Sequence, residues 1–322
     1  MKQYIPAWLL GFSLIASAQE RLPSWNEGEV KTDIIEYVQA VTNKKSADFV
    51  PKRDRIAVFD NDGTLWSEQP IYFQFLFAFD KVKALAPQHP NWKKTEPFKS
   101  VLENNITSLM ESGEQGLIDI FNATHVNMDV ETFQKEVKAW IKSAKHPTKK
   151  RVYSELIFQP MMELIQYLKE NGFEVYIVSG LGIDFMRTFI PELYGISESH
   201  IIGSSGHVVY KDGKIIKTKD INFINDNDLK PVGIYHSVGK RPIAAFGNSD
   251  GDLAMMQYTQ ASHHKTFQLY VHHTDEKREW AYDKKSPVGR LDKGLIYAKE
   301  HNWTIVNMQK EWKVIYPFEL NN

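Results

Sequence analysis

Cysteine is absent from all 322 residues, which excludes disulfides and a cysteine-linked lipid anchor and leaves the fold to stand on its apolar core. An excess of one charge sign is absent too: 39 basic residues face 40 acidic ones, for a formal net charge of −1. Nothing in that balance selects nucleic acid or an anionic membrane as a partner. Arginine is missing from residues 61–150, so that stretch has no guanidinium with which to grip a carboxylate in two-pronged fashion. There is no internal repeat and no low-complexity tract, and the apolar stretch Ile5–Ile15 is too short to span a bilayer. The basic run Lys145–Arg151 reads as a solvated linker.

The amino terminus carries its own signal. Lys2, the stretch Ile5–Ile15 and then Ala16-Ser17-Ala18 before Gln19 match a secretory signal peptide, residues 1–18, cleaved after Ala18. The expected protein is therefore periplasmic or secreted, with no stable membrane anchor after cleavage. A bacterial periplasm fits a chain without disulfides whose 42% hydrophobic residues suffice for a large core.

Three short apolar runs each end in polar, turn-forming residues. Ile56-Ala57-Val58-Phe59 reads as a buried strand, and Asp60-Asn61-Asp62-Gly63-Thr64-Leu65 follows it directly. Two carboxylates are thus expected at a strand's carboxyl end, where open α/β sheets keep their chemistry. Residues two apart on an extended chain point the same way, so Asp60 and Asp62 share one small site, and like charges there call for a cation between them. Glu174–Val178 is the second run; it ends in Ser179-Gly180, a hydroxyl and a flexible backbone suited to an anion. The third, Ile243–Phe246, ends in Gly247-Asn248-Ser249-Asp250-Gly251-Asp252, and Lys230 before Pro231 puts a cation on a loop ahead of it.

This ordered set resembles the haloacid dehalogenase superfamily of phosphotransferases, whose four motifs are Asp-x-Asp, Ser/Thr, Lys and a terminal acidic loop. The resemblance spans roughly residues 55 to 260. It implies an exported Mg²⁺-dependent phosphomonoesterase that acts on a small phosphorylated metabolite through an aspartyl-phosphate. Asp60 is then the nucleophile, because a carboxylate attacks phosphorus once it is held in line and the phosphoryl charge is neutralised. Asp62 is the general acid and base that protonates the leaving alkoxide and later deprotonates water. Ser179, Gly180 and Lys230 bind the phosphoryl oxygens. Mg²⁺ is expected on Asp60, the Asp62 carbonyl and Asn248. The family's closing motif usually begins Gly-Asp, and Asn248 stands in that place with one negative charge fewer. Asp250 and Asp252 are the alternate ligands, and Asp252 stands open between supporting Lys230 or the metal and capping the helix expected from Leu253.

The separation of 119 positions between Asp60 and Ser179 is too long for one crossover, so something is inserted after the first strand. The expected architecture is an α/β, Rossmann-like doubly wound parallel sheet, residues 19–66 and 156–322, with an inserted α-helical cap at 67–155. Helical signals run over Ile71–Leu85, Phe98–Met110, Gly116–Phe121 and Val130–Ile141 in the insert, and over Pro160–Gly172 and Ile183–Leu193 in the core. Strands are also expected at Phe267–Val271 and Trp303–Val306, and a hairpin turn at Tyr210–Lys214.

A cap at this place most resembles the phosphoserine phosphatase-like branch, where a cap carboxylate and an Arg grip the substrate. Glu68 stands near that carboxylate's position and is the expected substrate contact, but with no arginine in residues 61–150, phosphoserine itself is not the expected substrate. The closing motif also looks like that of periplasmic class B acid phosphatases. The pairs His263-His264 and His272-His273 are not read as zinc ligands, because neighbours on a strand face opposite ways. A rim role near the site stays open for His272 and His273. A metal-independent dehalogenase of the same fold, and a non-catalytic binding protein that keeps the scaffold, are the other two function classes. The proton donor Asp62 argues against the first of these and the set of four motifs against the second, with Asn248 pulling mildly the other way.

Overall fold

The structure is a computed structural model and describes residues 20–321, so the expected leader at residues 1–18 lies outside the described residues. Seven strands make one sheet: β1 (Ile56–Phe59), β2 (Glu174–Gly182), β3 (Ile201–Lys211), β4 (Lys214–Phe223), β5 (Ala244–Gly247), β6 (Phe267–His272) and β7 (Thr304–Asn307). Their order is β4-β3-β2-β1-β5-β6-β7. Neighbours are parallel throughout except for the β3–β4 hairpin at the edge. That hairpin turns on Asp212 and Gly213, both at positive φ, the two-residue geometry that matches the twist of the flanking strands. The chain winds outward from β1 through β2 and β3, then restarts at β5 and winds the other way. The sheet therefore opens a crevice at the carboxyl ends of β1 and β5.

Period-two alternation divides the core between the two faces of the sheet. Ala57, Phe59, Val175, Ile177, Ala244 and Phe246 point to one face, against Ile34, Val38 and Val41 of helix Glu29–Thr42 and Met161 and Leu164 of helix Gln159–Glu170. Ile56, Val58, Tyr176, Val178, Ala245 and Tyr270 point to the other, which Ile234, Met255, Met256 and Ala298 cover from helices Lys230–Val238, Leu253–Gln260 and Lys293–Glu300. All four residues of β1 are buried, as a central strand flanked on both faces requires.

Between β1 and β2 lie helices Phe73–Leu85, Phe98–Leu102, Ile106–Glu111, Gly113–His125 and Val130–Ser143. Ile71, Ala78, Phe79, Val82, Val101, Leu109 and Ile120 form a small core of their own, while Phe77 and Phe133 join the main one. Asp129 caps the last of these helices, its carboxylate accepting from the Thr132 N–H at 2.9 Å.

Several expected elements differ. The single helix over Phe98–Met110 is two, interrupted where Asn104 takes φ +54°. Ile183–Leu193 is likewise divided into Ile183–Met186 and Ile190–Tyr194, with Pro191 in the first turn of the second, where its missing N–H costs nothing. Lys230 is the first residue of a helix and not on a loop. The run Lys145–Arg151 is more than a linker: His146 is fully buried, and the Lys149 ammonium donates to the Arg278 and Glu279 carbonyls while lying over the Trp280 ring. Among the described residues no helix is long and apolar enough to cross a membrane.

One buried histidine in the insert has a measurable consequence. His125 sits among Phe77, Phe121 and Phe133, with Nδ1 against the Phe121 carbonyl and the Thr124 hydroxyl. Its Nε2 has no partner among the described residues. Burial lowers its pKa to about 3. The folded imidazole is then neutral where the unfolded one is protonated, so its contribution to stability is complete above the unfolded value near 6.5 and is lost as the pH falls below it. Relative to His125→Phe, the native protein should lose about 2 kcal/mol between pH 6.5 and 5, at ~1.4 kcal/mol per pH unit. Urea unfolding of both proteins across that range checks this, and parallel stability curves would refute it.

Candidate active site

The Asp60 N–H donates to the Phe246 carbonyl at 2.9 Å, which extends the β1–β5 ladder by one step and fixes Asp60 at the mouth of the crevice. The chain then turns sharply. The Asn61 carbonyl accepts from Thr64 N at 3.2 Å and Leu65 N at 2.8 Å, Gly63 adopts φ +69°, and Gly63 N donates to the Trp66 carbonyl at 2.8 Å. Asp62 is thereby turned inward beside Asp60. Its Oδ1 accepts from the Trp66 indole at 2.9 Å, and its Oδ2 is 3.4 Å from the Ser179 hydroxyl. Trp66 is itself immobilised by stacking on Phe189, with centroids 4.5 Å apart.

Lys230 enters from the other side. Its ammonium is buried and donates to Asp60 Oδ1 and Asp252 Oδ1, each at 2.6 Å. Asp252 spends its second oxygen on the N–H groups of Asn248 and Ser249, both at 3.0 Å, and closes a capping box with Ser249. Of the two readings left open for Asp252, the support of Lys230 is the one seen: the Asp252 side chain makes no cap to helix Leu253–Gln260 and instead ties back the loop before it while orienting Lys230. Ser179 is set by Asn225, whose side-chain amide donates to the Ser179 carbonyl at 3.0 Å.

The charge balance is unusual. Asp60, Asp62, Glu68 and Asp252 are four buried carboxyls, and among the described residues the buried ammonium of Lys230, paired with Asp60 and Asp252, is the one cation bonded to any of them. Burial pushes Asp60 well above the usual carboxylate range and Asp252 adds to this, while Lys230 pulls the other way. Burial likewise raises Asp62 to about 6 against the hydrogen bond from Trp66 and the charge of Lys230. Glu68 is also pushed well up by burial, with the Tyr282 hydroxyl opposing and Asp62 and Asp60 adding. For Lys230 burial acts downward, and the carboxylates of Asp252 and Asp60 more than offset it, holding the ammonium above the usual lysine range.

That surplus of buried carboxyl oxygen fits a hard divalent cation, although among the described residues no group of three or more His, Cys, Asp or Glu is arranged as a metal cluster. The donors on hand are mixed: the Asp60 carboxylate, the Asp62 carbonyl and the Asn248 amide oxygen. Asn248 lies over the Gly63 turn, with Oδ1 accepting from the Thr64 hydroxyl at 3.1 Å and Nδ2 donating to Glu68 Oε1 at 2.7 Å. Asp250 is engaged elsewhere. Its Oδ1 accepts from the N–H groups of Asp292 at 2.9 Å and Gly294 at 2.8 Å, and it lines a hollow with Arg290 and Lys293 that contains none of the paired carboxylates. Of the two alternates, Asp250 thus holds the start of helix Lys293–Glu300, and Asp252 holds Lys230.

A cavity of about 390 Å³ adjoins the site through Gly180 and Asp226. Phe75, Leu117, Phe121 and Ile183 give it apolar walls, between the helical insert, the carboxyl end of β2 and the β3–β4 hairpin. Glu68, expected as a substrate contact, is not among the residues lining it; its carboxylate accepts from Tyr282 at 2.6 Å and from Asn248 instead.

Sequence reasoning missed the segment that closes over the Gly63 turn. His273 Nε2 donates to the Gly63 carbonyl at 2.7 Å, its Nδ1 faces Glu279 at 3.0 Å, and Tyr282 stacks on its ring. The rim role left open for His273 has this form. Tyr282 carried no sequence signal, because it reaches Glu68 from more than two hundred positions away.

With the geometry in hand, likenesses to known proteins can be set beside it. A protein of unknown function from Bordetella pertussis Tohama I aligns over 79% of this chain and 98% of its own, with a TM-score of 0.49 and 12% identity. A functionally unknown protein from Anaerococcus prevotii DSM 20548 aligns over 85% and 99%, with a TM-score of 0.49 and 17% identity. A phosphoserine phosphohydrolase-like protein from Francisella tularensis subsp. tularensis SCHU S4 aligns over 67% and 87%, with a TM-score of 0.38 and 17% identity. No curated protein sequence matches the chain. The family model for haloacid dehalogenase-like hydrolases matches residues 57–257, more than half of the chain and all the motif residues described above, and the chain belongs to that family.

Proposed function

We propose that this hydrolase is an exported, Mg²⁺-dependent phosphomonoesterase that works through an aspartyl-phosphate. The observation that carries the reading is the convergence of Asp60, Asp62, Ser179 and Lys230 from three separate segments of chain into one buried cluster. Asp60 Oδ1 is held by Lys230, which leaves Oδ2 to attack phosphorus as the bond to the leaving oxygen breaks. The alkoxide takes its proton from Asp62, whose pKa near 6 leaves a usable protonated fraction around neutrality. The resulting Asp62 carboxylate then accepts a proton from water as that oxygen attacks phosphorus, the bond to Asp60 breaks, and inorganic phosphate leaves. Ser179 and the Lys230 ammonium supply donors to the phosphoryl oxygens. Mg²⁺, held by Asp60, the Asp62 carbonyl and Asn248, would neutralise phosphoryl charge when bound.

The apolar cavity beside Gly180 supports a substrate whose organic part is apolar or planar and smaller than about 390 Å³, in place of a zwitterionic amino acid. Export rests on the leader pattern of residues 1–18. Dehalogenation is disfavoured by the same Asp62, since displacement of a halide needs no proton.

Hydrolysis of p-nitrophenyl phosphate should vanish on chelation and return with added Mg²⁺; activity indifferent to both would overturn the metal part of the reading. Asp62→Asn should slow an alkyl phosphate on the order of 10²–10⁴-fold, the usual range for lost general acid catalysis, and slow p-nitrophenyl phosphate far less, because nitrophenolate leaves without a proton. Equal losses on both substrates would sink the acid role.

A further inference from the structure

We infer that Glu68 is a positioning residue that sets the orientation of the Asn248 amide, so that the closing loop presents an oxygen, and not an N–H, to the cation. The inference deepens the metal-dependent reading above and rests on it.

An Asn side chain offers a carbonyl oxygen at one end and two N–H donors at the other, and only the oxygen can bind a hard cation. Something must therefore fix which end faces the site. Glu68 Oε1 lies 2.7 Å from Asn248 Nδ2, and an oxygen with that neighbour forces the nitrogen to its side. The opposite end, Oδ1, then accepts one hydrogen bond from the Thr64 hydroxyl at 3.1 Å and keeps its second lone pair.

The slot that holds Glu68 is built for this purpose from three segments. The Tyr282 hydroxyl donates to the same Oε1 at 2.6 Å, and Tyr282 is stacked on His273, which is anchored on the Gly63 carbonyl. Glycines flank the carboxylate on both sides. A Cβ on Gly63 would fall 2.0 Å from Asn248 Nδ2 and 2.3 Å from Glu68 Oε1, and one on Gly289 would fall 1.8 Å from Glu68 Oε1. Both have positive φ, +69° and +67°. The Glu68–Asn248 contact thus occupies the space that two side chains would otherwise fill, and Glu68 is only 1% exposed.

The pairing also explains why an amide stands at 248. A carboxylate there would put two acidic groups at hydrogen-bond distance inside the protein, each making the other costlier to ionise.

Four variants test the pair, read by Mg²⁺ titration calorimetry without substrate and by thermal unfolding of the metal-free protein. Glu68→Gln keeps an oxygen for Asn248 and Tyr282, so its Mg²⁺ Kd should stay within about threefold of native, whereas Glu68→Ala should weaken it at least about tenfold. Metal-free Asn248→Asp should melt several degrees below native, and Asn248→Asp with Glu68→Gln should recover most of that loss, because the Gln amide donates to the new carboxylate. Should Glu68→Ala not fold, this second comparison decides alone. Equal Mg²⁺ affinity in Glu68→Ala and the native protein overturns the inference while leaving the metal-dependent reading intact. A Gln variant as weak as the Ala variant also overturns it, since charge and not orientation would then be what Glu68 supplies. A native protein that binds no Mg²⁺ overturns both, and unequal melting that the double variant fails to repair overturns the pairing.

Discussion

Asp60→Asn is expected to abolish phosphomonoester hydrolysis, by on the order of 10⁶-fold, the scale on which loss of a nucleophile is felt. The amide is isosteric and a far poorer nucleophile than the carboxylate. The fold should survive, because the Asn oxygen can still accept from Lys230 and the Asp60 N–H bond to the Phe246 carbonyl is a backbone contact. Removing a carboxyl whose ionisation burial and Asp252 both oppose also relieves repulsion. The thermal midpoint of the variant should therefore lie close to the native one while turnover of p-nitrophenyl phosphate falls to background. A variant that folds and retains a tenth or more of native turnover would end the covalent mechanism.

Lys230→Met should be the most damaging single change to stability among the site residues. The native ammonium is 3% exposed and is, among the described residues, the only buried cation within reach of Asp60 and Asp252, each 2.6 Å away. Truncating it leaves two carboxylates uncompensated in an apolar setting. Breaking one buried pair costs about 3–5 kcal/mol, and here two pairs share the lost partner. Part of the cost is recovered by protonating Asp60, whose carboxyl is already pushed upward. Denaturant unfolding at pH 7.5 should show a loss in that range and a smaller one at pH 5.5, where protonation is easier: a carboxyl with a raised folded pKa loses its penalty as the pH falls. Activity should be lost along with stability. A loss below 1 kcal/mol, or one independent of pH, would mean that Lys230 does not neutralise these groups.

Much of this site was legible in the chain because its residues sit at strand ends, and strand ends announce themselves. β1 is an uninterrupted apolar run closed by Asp-x-Asp-Gly, the apolar run of β2 gives way to Ser-Gly near the strand's end, and β5 closes in Gly-Asn-Ser. Because β1, β2 and β5 run parallel, their carboxyl ends share one rim of the sheet, so Asp60, Asp62, Ser179 and Asn248 meet wherever those strands pair. The β3–β4 turn was equally plain, since Asp212-Gly213 is a dipeptide that tolerates positive φ twice.

Less legible were the features that depend on partners far away in sequence. Asp250 and Asp252 stand two residues apart in one acidic loop, and nothing local separates them; only the positions of helix Lys293–Glu300 and of Lys230 send one outward and the other inward. The breaks at Asn104 and between Met186 and Ile190 hide within patterns whose apolar residues resume beyond them.

The sequence by itself determined the kind of chemistry: which carboxylates, hydroxyl and ammonium are available, and the strand ends that carry them, because these follow from local pattern and side-chain type. Tertiary structure alone decided their states and their divisions of labour. The pKa of Asp62 near 6 is a consequence of burial, and the role of Glu68 follows from a tyrosine and an amide brought to it across the fold. Desolvation and hydrogen-bond orientation are properties of what surrounds a group, and a chain acquires its surroundings only when it folds.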